Sequence, residues 1–268
     1  MIYFSSVLKK NPVYQPAANN LFAALDLFNI KYKFILGTKD IWVRDFMPVR
    51  TGSDKYISFR YEPSYLQDYP EIRTDYRENI SCVQELGAIT YSAINLDGGN
   101  IVFSPSKQKV IISDRVFSEN PNYPALTLIG EIEKLLEAQV IIIPALHAKY
   151  DMTGHADGMV RFLDENTVLG NRVLGQNTLE KKIASVLKNH NIDTIEFPYF
   201  DSKGISAEGC YLNYLETDFH IFLPIFKNKM DKQAIDLATE VFSKKVVPVN
   251  INEIAAEGGV LNCISWEM

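Results

Sequence analysis

His155 and Asp157 stand two residues apart in Thr153-Gly154-His155-Ala156-Asp157. They pair a group that exchanges protons near neutral pH with a fixed negative charge. On an extended strand, residues two apart face the same side. The segment therefore predicts both side chains in one space, with Gly154 and Gly158 leaving room for close approach. A His-x-Asp pair also serves as a plain surface hydrogen bond, so chemistry depends on what the fold brings beside it. The strongest candidates are a second carboxylate, Asp45 in Trp42-Val43-Arg44-Asp45, and a thiol, Cys263, in the last residues of the sequence.

The elements that must position these groups repeat. A strand at Ile2 to Ser6, a helix at Pro16 to Phe28 and a strand at Lys31 to Leu36 come first. Four units then each read strand, turn, strand, helix, strand. Their first strands are predicted over Trp42 to Arg50, Asn95 to Phe103, His155 to Leu163 and Cys210 to Leu215. Their second strands are Tyr56 to Tyr61, Val110 to Ile112, Thr167 to Gly170 and His220 to Phe226. The helices fall at Pro70 to Leu86, Ala125 to Glu137, Leu179 to Lys188 and Asp231 to Phe242. The closing strands are Ala88 to Ile94, Val140 to Ile143, Thr194 to Phe197 and Lys245 to Val249. A fifth unit begins at Gly258 to Ser265, and Ile2 to Ser6 is expected to complete it. Marking each first strand by a polar residue gives Asp45, Asp97, Asp157, Asn213 and Cys263, at intervals of 52, 60, 56 and 50 residues. Units of this kind cannot bury both faces alone and are expected to close into a ring whose inner strand ends converge on a central pocket. No linker divides them, so residues 1–268 read as one domain.

Composition narrows the function. Of 268 residues, 27 are Lys or Arg and 33 are Asp or Glu, a net charge of −6. This disfavours a nucleic-acid surface and suits a cationic small molecule. No apolar stretch reaches bilayer length, and no signal peptide is read, so neither a membrane partner nor export is expected. Cys82, Cys210 and Cys263 are widely spaced, without the close Cys or His pairs of a zinc site. The prediction is a cytoplasmic protein with no metal and no cofactor. Oligomeric state is left open.

The ring turns separate signals into one constellation, because equivalent positions around an axis face each other. Two carboxylates with room between them suit a guanidinium, which offers paired parallel N–H donors. A thiolate beside the same carbon is a good nucleophile, and a bound cation would lower the thiol's pKa. A histidine there can protonate a departing amine and later take a proton from water.

These motifs also resemble a known family. Trp42-Val43-Arg44-Asp45 with Pro48, Gly98-Gly99-Asn100, Asp151 to Asp157 leading to Arg161-Phe162-Leu163, Tyr211-Leu212-Asn213-Tyr214, Leu223 to Phe226 with Asp231, and Gly258-Gly259 to Cys263 follow the order seen in agmatine deiminases and bacterial-type peptidylarginine deiminases. The resemblance implies an α/β fold of the pentein type, a five-bladed pseudo-symmetric propeller of ββαβ units. It implies Cys263 as nucleophile, His155 as general acid and base, and Asp45 and Asp157 as the guanidinium clamp. Hydrolysis would pass through a thiouronium to a ureido product and ammonia. It places Trp42, Arg44, Asp97, Asn100 and Asp151 on the substrate-binding side. A small agmatine-like or arginine-like substrate is expected; the alternatives are a peptidylarginine deiminase, an amidinotransferase, or a guanidine-binding ring without turnover. Asn262 departs from the pattern, since agmatine deiminases carry histidine before the nucleophile.

Blander roles are expected elsewhere. Cys82 and Cys210 read as buried small hydrophobes, and His147, His190 and His220 as surface or capping residues. Arg44 can orient Asp45 or hold a backbone carbonyl instead of touching substrate, Asp97 can serve its own Gly-Gly turn, and Asn213 can be purely structural.

Overall fold

Val110-Ile111-Ile112 and Val140 to Ile143 are apolar on both faces, which suits strands covered on both sides. The structure, a computed structural model, describes residues 1–75, 77, 86, 88–147, 151–172, 178–202 and 204–268. Among these, fifteen strands form five sheets of three. One sheet joins β1 (Ile2–Ser5), β2 (Tyr32–Ile35) and β15 (Ser265–Glu267). The next two are β3 (Val49–Arg50), β4 (Tyr56–Arg60) and β5 (Ile89–Asn95), then β6 (Val102–Phe103), β7 (Lys109–Ser113) and β8 (Gln139–Ile143). The last two are β9 (Val160–Phe162), β10 (Thr167–Asn171) and β11 (Asp193–Phe197), then β12 (Leu215–Glu216), β13 (His220–Ile225) and β14 (Lys245–Asn250).

Every sheet has the same pairing: the middle strand is antiparallel to one neighbour and parallel to the other. A parallel pair needs a crossover, and helices over Gln15–Leu27, Ala125–Leu136, Leu179–Asn189 and Asp231–Val241 supply four of the five. Their apolar residues recur at helical spacing. Leu128, Ile132 and Leu136 are buried on one stripe, each worth about 1.5–3 kcal/mol of burial. A helix is expected at Pro70 to Leu86, in the crossover from β4 to β5. Most of that stretch, with Cys82, lies outside the described residues, and residues 70–75 are turn and open chain.

Neighbouring units share cores. One apolar cluster joins β4 and β5 to β7 and β8, another joins β6 to β8 with β9 and β10, and the largest runs from β10 and β11 through β12 to β14 and on to β1. Tyr3 and Tyr56 meet Trp266 at ring-centroid distances of 5.3 and 6.3 Å, linking the β1 sheet to β4. As the sequence anticipates, β1 completes the fifth unit: Tyr3 pairs with Trp266 and Phe4 with Ser265.

The first strands are the correction. The long strands expected from Trp42, Asn95, His155, Cys210 and Gly258 shrink to two or three residues each. Ahead of them lie helical turns over Val43–Phe46, Gly98–Asn100 and Ala156–Gly158, and non-helical turns around Tyr211 and Leu261. Asp157 therefore sits in a 3-10 turn whose N-cap is His155, instead of two places along a strand. The cause is polar burial. Side chains driven inside must find hydrogen-bond partners, and a tight turn presents backbone N–H groups that a strand would commit to its ladder.

Candidate active site

The turns carry their polar residues into one buried cluster. Asp45, Asp97, Asn100, His155, Asp157, Asn213 and Asn262 are each less than a tenth exposed, and Cys263 is partly buried. Two networks make up the cluster. In the first, His155 Nε2 lies 2.9 Å from Asp97 Oδ2 and His155 Nδ1 lies 3.5 Å from Asp45 Oδ1. The Gly99 amide donates to Asp45 Oδ1 at 3.0 Å. In the second, the side-chain amides of Asn213 and Asn262 donate to Asp157 Oδ2 at 3.0 and 2.7 Å. Asn213 Oδ1 accepts from the backbone amides of Asn262 and Cys263 at 3.0 and 3.2 Å. Cys263 Sγ lies 3.3 Å from that same oxygen and 3.8 Å from Asp157 Oδ2.

Two glycines let the networks approach. A Cβ on Gly98 would stand 2.0 Å from the Arg44 carbonyl oxygen, and one on Gly99 would stand 2.6 Å from both Asp45 Oδ1 and His155 Nδ1. Gly259 does the same for Trp42, whose ring would meet its Cβ at 2.4 Å. Trp42 is thereby packed on the Gly258-Gly259 turn, and its backbone amide is held by Asp40 at 3.1 Å.

The other residues marked in the sequence take distinct places. Arg44 turns its guanidinium toward the C-terminal motif, donating to the Asn262 carbonyl at 3.3 Å and pairing with Glu267 at 2.6 Å. Asn100 braces two segments, its Oδ1 accepting from the amides of Ser113 and Ala156 at 2.8 and 3.2 Å. Asp151 is taken up by Thr153, which donates from its backbone and hydroxyl at 2.8 and 2.7 Å. Asp97 makes no side-chain capping bond to its own turn and meets His155 directly. Cys210 is buried, and burial pushes its thiol up to about 12. His190 caps a helix end, and His220 packs against Phe28.

Tyr65 lies in no motif of the sequence, yet it reaches the cluster from the loop after β4. Its hydroxyl donates to Asp97 Oδ2 at 2.8 Å, and its ring stands edge-on to His155 at 6.3 Å. Ser64 fixes that loop by donating to Glu119 at 2.9 and 2.6 Å. Arg115 ties it to the carbonyl of Met152, ahead of His155.

Burial opposes charge throughout the cluster. Desolvation raises Asp45 to about 8, aided by Asp97 and Asp157 and opposed by His155. For His155 burial is the largest influence and acts downward, but Asp45, Asp97 and Asp157 together overcome it and hold the imidazole up at about 10. Burial, then Asp157 and Asp45, push the Cys263 thiol well above its ordinary range. The site thus retains protons near neutral pH.

The same shifts predict a pH dependence of stability. The raised His155 contributes stability that is full below about 6.5 and is lost as pH rises through about 10. Asp45, also raised, favours the fold in its neutral form, a contribution greatest below 3.8 that fades through about 8. Both slopes are negative between pH 6.5 and 8, so the unfolding midpoint temperature is expected to fall across that interval. Thermal melts at pH 6.5, 7.25 and 8.0 measure it, and a flatter slope is expected for His155→Gln.

Among the described residues no helix is long and apolar enough to cross a membrane, and no group of three or more His, Cys, Asp or Glu is placed to hold a metal. The family model described as Porphyromonas-type peptidyl-arginine deiminase matches residues 6–268. A Listeria monocytogenes protein carrying the provisional name agmatine deiminase 2 is 23% identical over 211 residues, which is 66% of this chain. The match spans 55% of the length of that curated relative. The solved agmatine deiminase of C. jejuni is similar in fold, with a TM-score of 0.78 at 17% identity, covering 99% of this chain and 92% of its own. That of Enterococcus faecalis gives 0.77 at 16% identity, covering 99% and 92%.

Proposed function

The chain belongs to the Porphyromonas-type peptidyl-arginine deiminase family, and from that premise we propose that it hydrolyses a guanidinium group to a ureido group with release of ammonia. The observation that carries this reading is the cluster itself: a thiol, an imidazole and two carboxylates from three separate turns, buried together. On this reading the five sheets form a five-bladed ring within a single domain, and the cluster lies on its axis.

In the proposed reaction Asp45 and Asp157 take the guanidinium nitrogens, and the cation replaces the proton that burial keeps on Asp45, leaving His155 as imidazolium. Its field lowers the pKa of Cys263, whose thiol releases its proton to solvent. Sulfur adds to the guanidinium carbon, giving a tetrahedral adduct. The His155 imidazolium passes its Nδ1 or Nε2 proton to the departing nitrogen, and ammonia leaves a thiouronium on Cys263. Water, losing one proton to His155, adds to the same carbon; the C–S bond then breaks, the hydroxyl proton passes to the departing sulfur, and the ureido product leaves Cys263 as thiol and His155 as imidazolium. Asn213 and Asn262 leave this cycle to others and hold Asp157 in place, Asp97 and Tyr65 orient the imidazole, and Arg44 fixes the backbone of the nucleophile's turn. Trp42 walls the pocket.

The substrate we infer is a small molecule, agmatine-like or arginine-like, and a reducing compartment such as the cytoplasm keeps the thiol available. The test is ammonia and ureido-product formation from agmatine, free arginine, an arginine-containing peptide and methylated arginine. Release from one member is expected; silence across the panel from folded protein would overturn the proposal.

The glycine contacts give a sharper expectation. Gly99→Ala forces its methyl between Asp45 and His155, which have little freedom to yield. Overpacking of this kind costs roughly 1–3 kcal/mol of stability, and a displacement near 1 Å at the chemistry costs about 10²-fold in rate. Steady-state kinetics and a thermal melt on one preparation measure both.

A further inference from the structure

A cavity of about 1000 Å³ opens beside the short first strands. Cys263, His155 and Asp45 are absent from its wall, while Asp157 and Asn262 belong to it. Those two residues therefore separate the cluster from a second space. Its size is that of a pocket for a small organic ligand.

The charge of the cavity opposes that of the chain. Six Lys or Arg side chains line it against four Asp or Glu, in a chain of net charge −6. The acids are largely engaged. Glu267 is held by Arg44 at 2.6 Å, Glu216 by Lys244 at 2.8 Å, and Asp157 by its two asparagines. The cations at one side are less well matched. Lys107 Nζ donates to the Arg50 carbonyl at 2.7 Å and stands 5.5 Å over the Phe103 ring. Arg50 pairs with Asp54 at 2.8 Å, an exposed i,i+4 contact of the kind that binds weakly. Burial and the neighbouring Arg50 lower the pKa of Lys107, with Asp54 and Glu267 offsetting part of that shift. An anion beside both cations would relieve this crowding.

We propose that this cavity is a binding site for a small molecule carrying two or more negative charges on phosphate or carboxylate groups, with Lys107 and Arg50 as its anion-facing residues. Lys107 is held in the left-handed region at φ 57°, on the turn between β6 and β7, which fixes where its side chain leaves the backbone. The proposal does not require turnover, so it stands or falls separately from the deiminase reading.

Isothermal titration of the full chain with pyrophosphate and with citrate, at ionic strength matched with sodium chloride, tests it. Saturable binding of at least one probe is expected, and Lys107→Gln and Arg50→Gln are each expected to weaken it about tenfold or more, the loss of one charge-assisted contact. Preference between the probes assigns phosphate or carboxylate as the recognised group. No saturable heat from either probe overturns the proposal, as does unchanged affinity in both variants. Arg50, whose side chain is 42% exposed, provides the deciding variant if Lys107→Gln fails to fold.

Discussion

Replacing Cys263 by alanine is expected to abolish product formation, by at least ~10⁴-fold, with little change in stability. Removal of a covalent nucleophile that acts as one unit with its acid and base forfeits nearly the whole rate enhancement. Stability is spared because the thiol's nearest partners keep their other bonds: Asn213 Oδ1 still accepts from two backbone amides, and Asp157 Oδ2 from two side-chain amides. The measurement is ammonia release at enzyme concentrations high enough to see 10⁻⁴ of wild-type activity, together with a thermal melt. Turnover within tenfold of wild type in a folded alanine variant would exclude the thiouronium route.

Asp157→Asn is expected to separate charge from shape. An asparagine amide has the same outline, and its oxygen can accept from Asn213 and Asn262 where the carboxylate did, so the second network persists. The negative charge is lost, and a buried charge-assisted pair to a cation is typically worth ~2–4 kcal/mol. Activity as kcat/KM is expected to fall by roughly 10²–10³-fold, with KM rising and the unfolding midpoint nearly unchanged. Guanidinium ion itself is a useful probe: its inhibition of the wild type is expected to weaken in the variant by a comparable factor. An unchanged KM would mean that Asp157 positions the thiol and does not hold substrate.

The outer parts of the fold were the legible ones. The helix predicted over Ala125 to Glu137 is found over Ala125–Leu136, and Val110 to Ile112 lies inside β7, because continuous or regularly spaced apolar residues admit few other structures. The inner ends depart from the expected strands. Their form depends on bonds between distant residues, such as the Gly99 amide to Asp45 and the Ala156 amide to Asn100, and no local propensity reports those. The repeat interval nevertheless marks residues that the structure clusters, Asp45, Asp97, Asp157, Asn213 and Cys263, because it depends on spacing and not on backbone conformation. Tyr65 was invisible for a different reason: it enters from a loop outside the repeated motif, and only its bond to Asp97 gives it a place.

The pairing of β1 with β15 has a consequence for the order of assembly. Ile2 and Glu267 are neighbours across that sheet, so it can form only after nearly the whole sequence has been brought together, the most costly kind of loop closure and the slowest kind of contact. Cys263 lies two residues ahead of β15. A nascent chain leaving the ribosome could fold its earlier ββαβ units while Cys263 was still absent, and the thiol would reach Asp157 only as β15 docked. Competence for the proposed chemistry and the pairing of β1 with β15 would thus be the same late event.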